Sequence, residues 1–285
     1  MNTVAVLGAG KMGAGIAQVA ARGGFQVILR DLQTKLVKDG LSLIDKNLGR
    51  SIESGELSKE DKNQIMGQIH GTTDLSKVRS ADLVIESVVE NMSVKKQLFA
   101  ELDSICAPHA ILATNTSSLS INEIASATRR QDRILGMHFH NPAPVVRLVE
   151  LIKGLDTSQA TINEAQDFVK QINKVPVLVQ RESPGFIVNR ILIPFINEAI
   201  FVLAEGIASR DDIDTALKYG AGMPFGPLEM ADALGLDNVQ SVILSFYEEF
   251  RDQKYRPSSC LLSMVRAGYL GRKSGKGFYE YKINQ

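Results

Sequence analysis

The sequence predicts an α/β fold, a doubly wound sheet over residues 1–183 followed by a smaller all-helical domain over 184–285. Three observations carry that prediction. An apolar strand pattern at 3–7 runs directly into Gly8-Ala9-Gly10-Lys11-Met12-Gly13 and a helix of small residues, Ala14, Gly15, Ala17, Ala20 and Ala21. Apolar runs of strand length then alternate with helical patterns as far as 175–179. Beyond Glu182-Ser183-Pro184-Gly185 no strand pattern returns.

The first unit reads as a dinucleotide-binding βαβ. Gly8 permits a tight turn out of the strand, Gly10 lets the backbone approach a pyrophosphate, and Gly13 lets the helix pack closely on the sheet. The amides of the first helical turn, at Lys11 and Met12, lie where the helix end attracts phosphate. A second apolar run, 25–29, leads to Asp31, 18 residues after Gly13, the spacing of a carboxylate that accepts from a ribose hydroxyl. That carboxylate favours NAD, because it would repel the 2′-phosphate of NADP. Arg30 could accommodate such a phosphate, but strand alternation is expected to turn it the other way.

Further along, Val37, Leu41, Ile44, Leu48 and Ile52 recur at helical spacing up to Gly55, and Ser58 with Asp61 opens another helix. A buried strand is expected at 83–86, a helix at 93–105, and strands at 111–114, 134–139, 147–152 and 175–179. After Gly185, the residues Phe186, Ile187, Ile191, Phe195, Ile196, Ala199, Ile200 and Leu203 form a helix apolar enough to be buried. Short helices broken by Gly and Pro follow at 211–219, 223–227 and 235–250. So much apolar helix predicts a subunit interface, hence a homodimer or higher homo-oligomer.

Lys+Arg and Asp+Glu balance at 32 each over 285 residues, which gives no electrostatic reason for nucleic acid or an anionic membrane as partner. Two distant cysteines, Cys106 and Cys260, read as structural thiols in a reducing compartment. No signal peptide precedes the first strand and no apolar run approaches ~18 residues, so a cytoplasmic location is expected.

Chemistry concentrates at Gly136-Met137-His138-Phe139-His140-Asn141-Pro142, at the end of a predicted strand, where open α/β sheets place catalytic groups. Spacing of i, i+2 points His138 and His140 to one side, yet no cysteine or second histidine cluster completes a zinc site, so no metal is expected. His138 is the candidate acid/base. Glu150 stands in the middle of an apolar strand, which is costly unless a histidine on a neighbouring strand pairs with it and has its tautomer fixed in return. Asn115-Thr116-Ser117-Ser118 follows another strand on the same edge, and Asn189 is a polar group inside the apolar helix. Lys46 and Arg50, four apart on a polar helix face, suit a phosphate-bearing ligand.

Taken in order, Gly8 to Gly13, Asn115 to Ser118, Gly136 to Phe139, Pro184-Gly185-Phe186-Ile187-Val188-Asn189-Arg190 and Gly271-Arg272-Lys273-Ser274-Gly275-Lys276-Gly277-Phe278-Tyr279 resemble the L-3-hydroxyacyl-CoA dehydrogenases, especially the bacterial 3-hydroxybutyryl-CoA dehydrogenases. The resemblance spans essentially the whole chain. It implies an NAD-binding Rossmann domain, a helical substrate and dimerisation domain, and interconversion of (S)-3-hydroxybutyryl-CoA with acetoacetyl-CoA. By it His138 is the general base, Glu150 its carboxylate partner, and Ser117 and Asn189 hold the reacting oxygen or the thioester of the acyl-CoA substrate. Glu90, Lys95 and Asn115 match positions near the nicotinamide ribose and amide. Two departures stand out: His140 replaces an aromatic residue, and Glu53 and Glu56 occupy a helix end that is more basic in the family. The rivals are a related dehydrogenase of a free hydroxy acid, such as a gulonate dehydrogenase, which would fail with CoA thioesters, and a non-catalytic nucleotide-binding protein. Intact His138, Glu150, Ser117 and Asn189 argue against the latter.

Overall fold

The computed structural model describes residues 1–282, in two compact units, Met1–Ser183 and a second from Pro184 onward. In the first unit β1 (Thr3–Leu7), α1 (Lys11–Arg22), β2 (Gln26–Arg30), α2 (Thr34–Glu53), α3 (Lys59–Gly67) and β3 (Ile69–Thr72) precede β4 (Leu83–Glu86) and α4 (Met92–Ile105). Then come β5 (Ile111–Thr114), α5 (Ile121–Ala125), β6 (Ile134–Phe139), β7 (Leu148–Lys153), α6 (Gln159–Gln171) and β8 (Val175–Val179). One eight-stranded sheet results, in the order β3-β2-β1-β4-β5-β6-β7-β8. The order reverses beside β1, which leaves a crevice at the carboxyl ends of β1 and β4.

Strands β1 to β6 are parallel, whereas β7 runs antiparallel to β6, and β8 parallel to β7. The chain between β6 and β7, 140–147, is too short for the crossover that a parallel pair requires. The resulting register sets His138 directly opposite Glu150.

Burial follows from the helix faces. Val37, Ile44 and Leu48 of α2 are buried and Leu41 packs partly on the same core, together with Val6, Ile16, Leu29, Ile85 and Leu151. Helix α3 begins with a reciprocal pair of bonds, Asp61 N–H to Ser58 Oγ and Ser58 N–H to Asp61 Oδ2, both 3.0 Å. Three elements give no clear sequence pattern. Strand β3 reads Ile-His-Gly-Thr with only Ile69 buried, and it exists through its ladder to β2. Helix α5 has five residues, and α6 buries Ile162, Ala165, Phe168 and Val169 around two buried or half-buried polar positions.

The second unit comprises α7 (Val188–Ala204), α8 (Arg210–Gly220), α9 (Pro227–Leu234), α10 (Leu236–Phe250) and α11 (Ser259–Arg266). Residues 223–226 are not helical, contrary to expectation. Pro227 instead occupies the first turn of α9, the one helical position where its missing N–H costs nothing. Nor is α10 short, at 15 residues. Helix α7 is not buried all round: Ile193, Ile196 and Ile200 enter the core with Leu228, Val239 and Phe246, while Ile191 is 67% exposed. The motif at 271–279 has a structural explanation. Asp232 accepts from the N–H of Phe278 and of Tyr279, both at 2.9 Å, and from the Tyr281 hydroxyl at 3.0 Å, and burial pushes its carboxyl above the usual range.

Both cysteines are unpaired. Burial pushes the Cys106 thiol up to about 11 and raises Cys260 as well, so both are protonated near neutrality and unsuited to nucleophilic work.

The glycines of the first loop have separable roles. A Cβ on Gly13 would lie 1.7 Å from the Gly8 carbonyl oxygen, whereas one on Gly10 meets nothing within 4 Å. In thermal or denaturant unfolding, Gly13→Ala should therefore cost about 3 kcal/mol or more. Gly10→Ala should stay within about 1 kcal/mol of the parent. Equal destabilisation of the two would contradict the packing argument.

Candidate active site

Five parallel strands, β1, β2, β4, β5 and β6, deliver their carboxyl ends to one edge, and every loop named below leaves from there. After β1, Gly8 adopts φ +100°, and a Cβ on it would meet the Ser87 carbonyl at 2.4 Å. The chain therefore turns close against the segment after β4. Lys11 and Met12 form the first turn of α1, with Lys11 exposed and Met12 packed partly on the core. Asp31 is held by the N–H groups of Ala9 (2.7 Å) and Leu32 (2.6 Å). A cleft of about 470 Å³, lined by Gly8, Gly10, Arg30, Asp31, Ser87 and Val88, opens beside it. Arg30 thus faces the same cleft as Asp31, which corrects the expectation that it turns away. It is the last residue of β2, where alternation no longer separates neighbours, and its Nε donates to the Thr73 carbonyl at 3.4 Å.

Beneath the loop after β4 lies a buried charge network. Glu86, fully buried, accepts from Lys95 Nζ (2.6 Å), the Val88 N–H (2.7 Å) and Thr114 Oγ1 (2.7 Å). Lys95 is 1% exposed and also lies 3.3 Å from Glu90. Its ammonium is committed to two carboxylates, Glu86 below the loop and Glu90 within it. Glu90 in turn gathers the loop after β5, accepting from the Thr116 hydroxyl, from the Ser117 N–H at 3.3 Å and from Ser118 Oγ at 3.3 Å. Ser117 is oriented through its backbone, a bond that does not use its hydroxyl. Asn115 ties the same loop to the next strand, its Oδ1 accepting from the Phe139 N–H at 2.8 Å. Glu86 was not singled out from sequence, although a charge ending the apolar run 83–86 carries the same signal as Glu150.

On β6 the His138 Nδ1 lies 2.8 Å from Glu150 Oε2, with Glu150 fully buried and His138 nearly so. A carboxylate can only accept, so Nδ1 carries the proton and Nε2 is the acceptor nitrogen of the ring. His140 Nε2 lies 3.2 Å from the same Oε2, and the two imidazole rings are 4.5 Å apart at 55°. The pairing puts Glu150 inside the sheet, between β6 and β8, rather than on an exposed edge.

Two predicted residues lie outside this group. Arg50 is exposed near the far end of α2, about 24 Å along the helix from its start at a rise of about 1.5 Å per residue. Asn189 belongs to the first turn of α7 in the second unit.

The edge suits a dinucleotide. The turn at Gly8 is left-handed, the space over Gly10 is open for a phosphate, α1 offers its N-terminal amides, and Asp31 lies fixed in the cleft beside them. Among the described residues no helix is long and apolar enough to cross a membrane.

Comparison with known proteins agrees. Residues 3–183 match the family model "3-hydroxyacyl-CoA dehydrogenase, NAD binding domain", and residues 185–281 match "3-hydroxyacyl-CoA dehydrogenase, C-terminal domain". The 3-hydroxybutyryl-CoA dehydrogenase of Clostridioides difficile is 48% identical over 98% of this chain and 99% of its own length. The mitochondrial hydroxyacyl-coenzyme A dehydrogenase of Homo sapiens is 44% identical over 98% of this chain and 91% of its own. Among solved structures, that of (S)-3-hydroxybutyryl-CoA dehydrogenase from Ralstonia eutropha superposes with a TM-score of 0.95 at 44% identity, covering 99% of this chain and all of that one. With both domains matched and relatives of this similarity along nearly its whole length, the chain belongs to the 3-hydroxyacyl-CoA dehydrogenase family and uses NAD.

Proposed function

We propose that the protein interconverts (S)-3-hydroxybutyryl-CoA and acetoacetyl-CoA, with His138 as general base and acid and Glu150 as the carboxylate that orients it. The observation that carries this reading is the 2.8 Å bond from His138 Nδ1 to a carboxylate with no solvent exposure. It leaves Nε2 as the basic atom, at the carboxyl end of β6, for the proton of the substrate 3-hydroxyl. Taking that proton makes the ring a cation, and Glu150 balances the new charge at hydrogen-bond distance. In the reverse direction the same Nε2–H returns the proton to the 3-oxo oxygen. NAD supplies the hydride acceptor for oxidation and the donor for reduction. Ser117 and Asn189 are assigned to the substrate oxygen or thioester, and Arg50 to the distant phosphates of a ligand as long as CoA. Asn115, Glu90 and Lys95 shape the loops around the nicotinamide, the last two acting through the Glu86 network. The two domains read as an NAD-binding unit, 1–183, and a helical substrate and dimerisation unit, 184–285.

A homodimer suits the apolar residues that the second unit leaves in solvent, Ile191 (67% exposed), Ile207 (67%) and Phe225 (53%). A cytoplasmic setting suits two unpaired, inert thiols.

Three tests follow. Loss of NADH absorbance with acetoacetyl-CoA should be rapid for the parent protein. His138→Gln should lower kcat roughly 1,000-fold or more and Glu150→Gln roughly 100-fold or more, with KM little changed. Full activity in His138→Gln would remove the assignment. Asp31→Asn keeps the acceptor for Ala9 but lowers the charge that opposes a 2′-phosphate, with Arg30 already in the cleft. Its ratio of NADH to NADPH efficiency should fall about tenfold or more, and an unchanged ratio would show that Asp31 does not select the cofactor. Light scattering should report twice the chain mass for the parent and a monomer for Ile191→Asp, and a parent monomer would overturn the dimer.

A further inference from the structure

The side-chain trio around Glu150 is larger than acid/base chemistry requires. His138 Nδ1 and His140 Nε2 both address one carboxylate oxygen, at 2.8 and 3.2 Å, and one potential ligand atom from each of the three residues lies within 4.8 Å of the others. We propose that His138, His140 and Glu150 form a binding site for a divalent first-row transition ion, Zn2+ above all, and that its occupation reversibly inhibits the enzyme by engaging the general base.

Four observations support the site. The donor set is two imidazoles and one carboxylate, the ligand types that Zn2+, Ni2+ and Cu2+ prefer over Mg2+ or Ca2+. The spacing is close to what a bound ion needs, since ligands at about 2.0–2.2 Å in a tetrahedron stand roughly 3.3 Å apart. Two of the three separations, 2.8 and 3.2 Å, are at or below that value, and the third lies within 4.8 Å. Glu150 is fully buried and the His140 side chain only 16% exposed, so an ion would meet a carboxylate already stripped of water. Three protein ligands leave a fourth position open, and the set is complete only because residue 140 is a histidine, where the resembling family carries an aromatic side chain. From sequence alone the two histidines lacked a third ligand. The antiparallel register of β6 and β7 supplies it.

Inhibition rests on the function proposed above, but binding does not. The test therefore begins with binding: the whole protein is titrated with Co2+ while its visible spectrum is followed. One equivalent should produce the intense bands of a four- or five-coordinate ion, and Zn2+ or EDTA should abolish them. His140→Phe should weaken Co2+ binding at least tenfold, and His109→Ala, which removes a histidine on another surface beside Asp82, should leave it unchanged. No visible band in the parent, or the same band in His140→Phe, would overturn the site. In the second arm, micromolar Zn2+ should slow turnover of the parent, with EDTA restoring it, and His140→Phe should need at least ten times more Zn2+. Equal sensitivity of the two would overturn inhibition through this trio. A parent protein that binds Co2+ yet turns over no acetoacetyl-CoA would defeat the proposed function while leaving the metal site standing.

Discussion

A carboxylate with no access to water must be compensated where it stands, and this sheet contains two of them, Glu86 at the end of β4 and Glu150 in the middle of β7. Each recruits the polar groups around it. Glu86 draws in Lys95 from α4, the Thr114 hydroxyl from β5 and a backbone amide, and Lys95 extends that network to Glu90 and the loop after β5. Glu150 draws in two histidines. The loops after β4 and β5 are thus anchored to buried charge, and removing one partner would leave its neighbour desolvated and unpaired. Such a loss typically costs about 3–5 kcal/mol, more than a hydrogen bond at the surface.

This division of labour separates residues that meet a ligand from those that hold them. Lys95 and Glu90 match family positions near the nicotinamide, yet Lys95 is nearly inaccessible and its charge is already spent on Glu86 and Glu90. What it does in the fold is hold Glu86 and, through Glu90, the loop after β5. Asn115 likewise joins the end of β5 to the backbone of β6 one residue beyond His138, so the strand that bears His138 is tied to the loop that bears Ser117.

What could be read in the sequence is what depends on short-range rules. The first βαβ was legible because Gly8 and Gly13 answer local steric demands, Gly10 leaves its space open, and Asp31 follows at a fixed distance. The pair formed by His138 and Glu150 was legible because a charge inside an apolar strand demands a partner. Glu86 carries the same signal at the last position of its strand, where no neighbouring polar motif points to a partner. Strand β3 has one buried residue and depends on β2 for its existence, which no window of four residues reveals. Arg30 was misplaced because alternation applies inside a strand and fails at its last residue. The apolar length of α7 was plain, but its exposed position at Ile191 was not.

The reversal at β7 is the step from which the chemistry follows. With only 140–147 to turn in, β7 must return antiparallel, and directly opposed residues then bring their Cβ atoms within about 5.5 Å. Slippage by one residue would carry Glu150 to the other face of the sheet. Gly136 guards against it: opposite Ile152, a Cβ there would come within 2.9 Å of both Ile152 and Ile121, so the pairing is built around that missing side chain. Two residues further along β6 the same pairing sets His138 against Glu150, and two beyond that the chain, just leaving the strand, brings His140 to the same oxygen. One register therefore fixes the tautomer of His138, buries the carboxylate that faces it and brings His140 to the same oxygen. These properties cannot be varied independently in this chain.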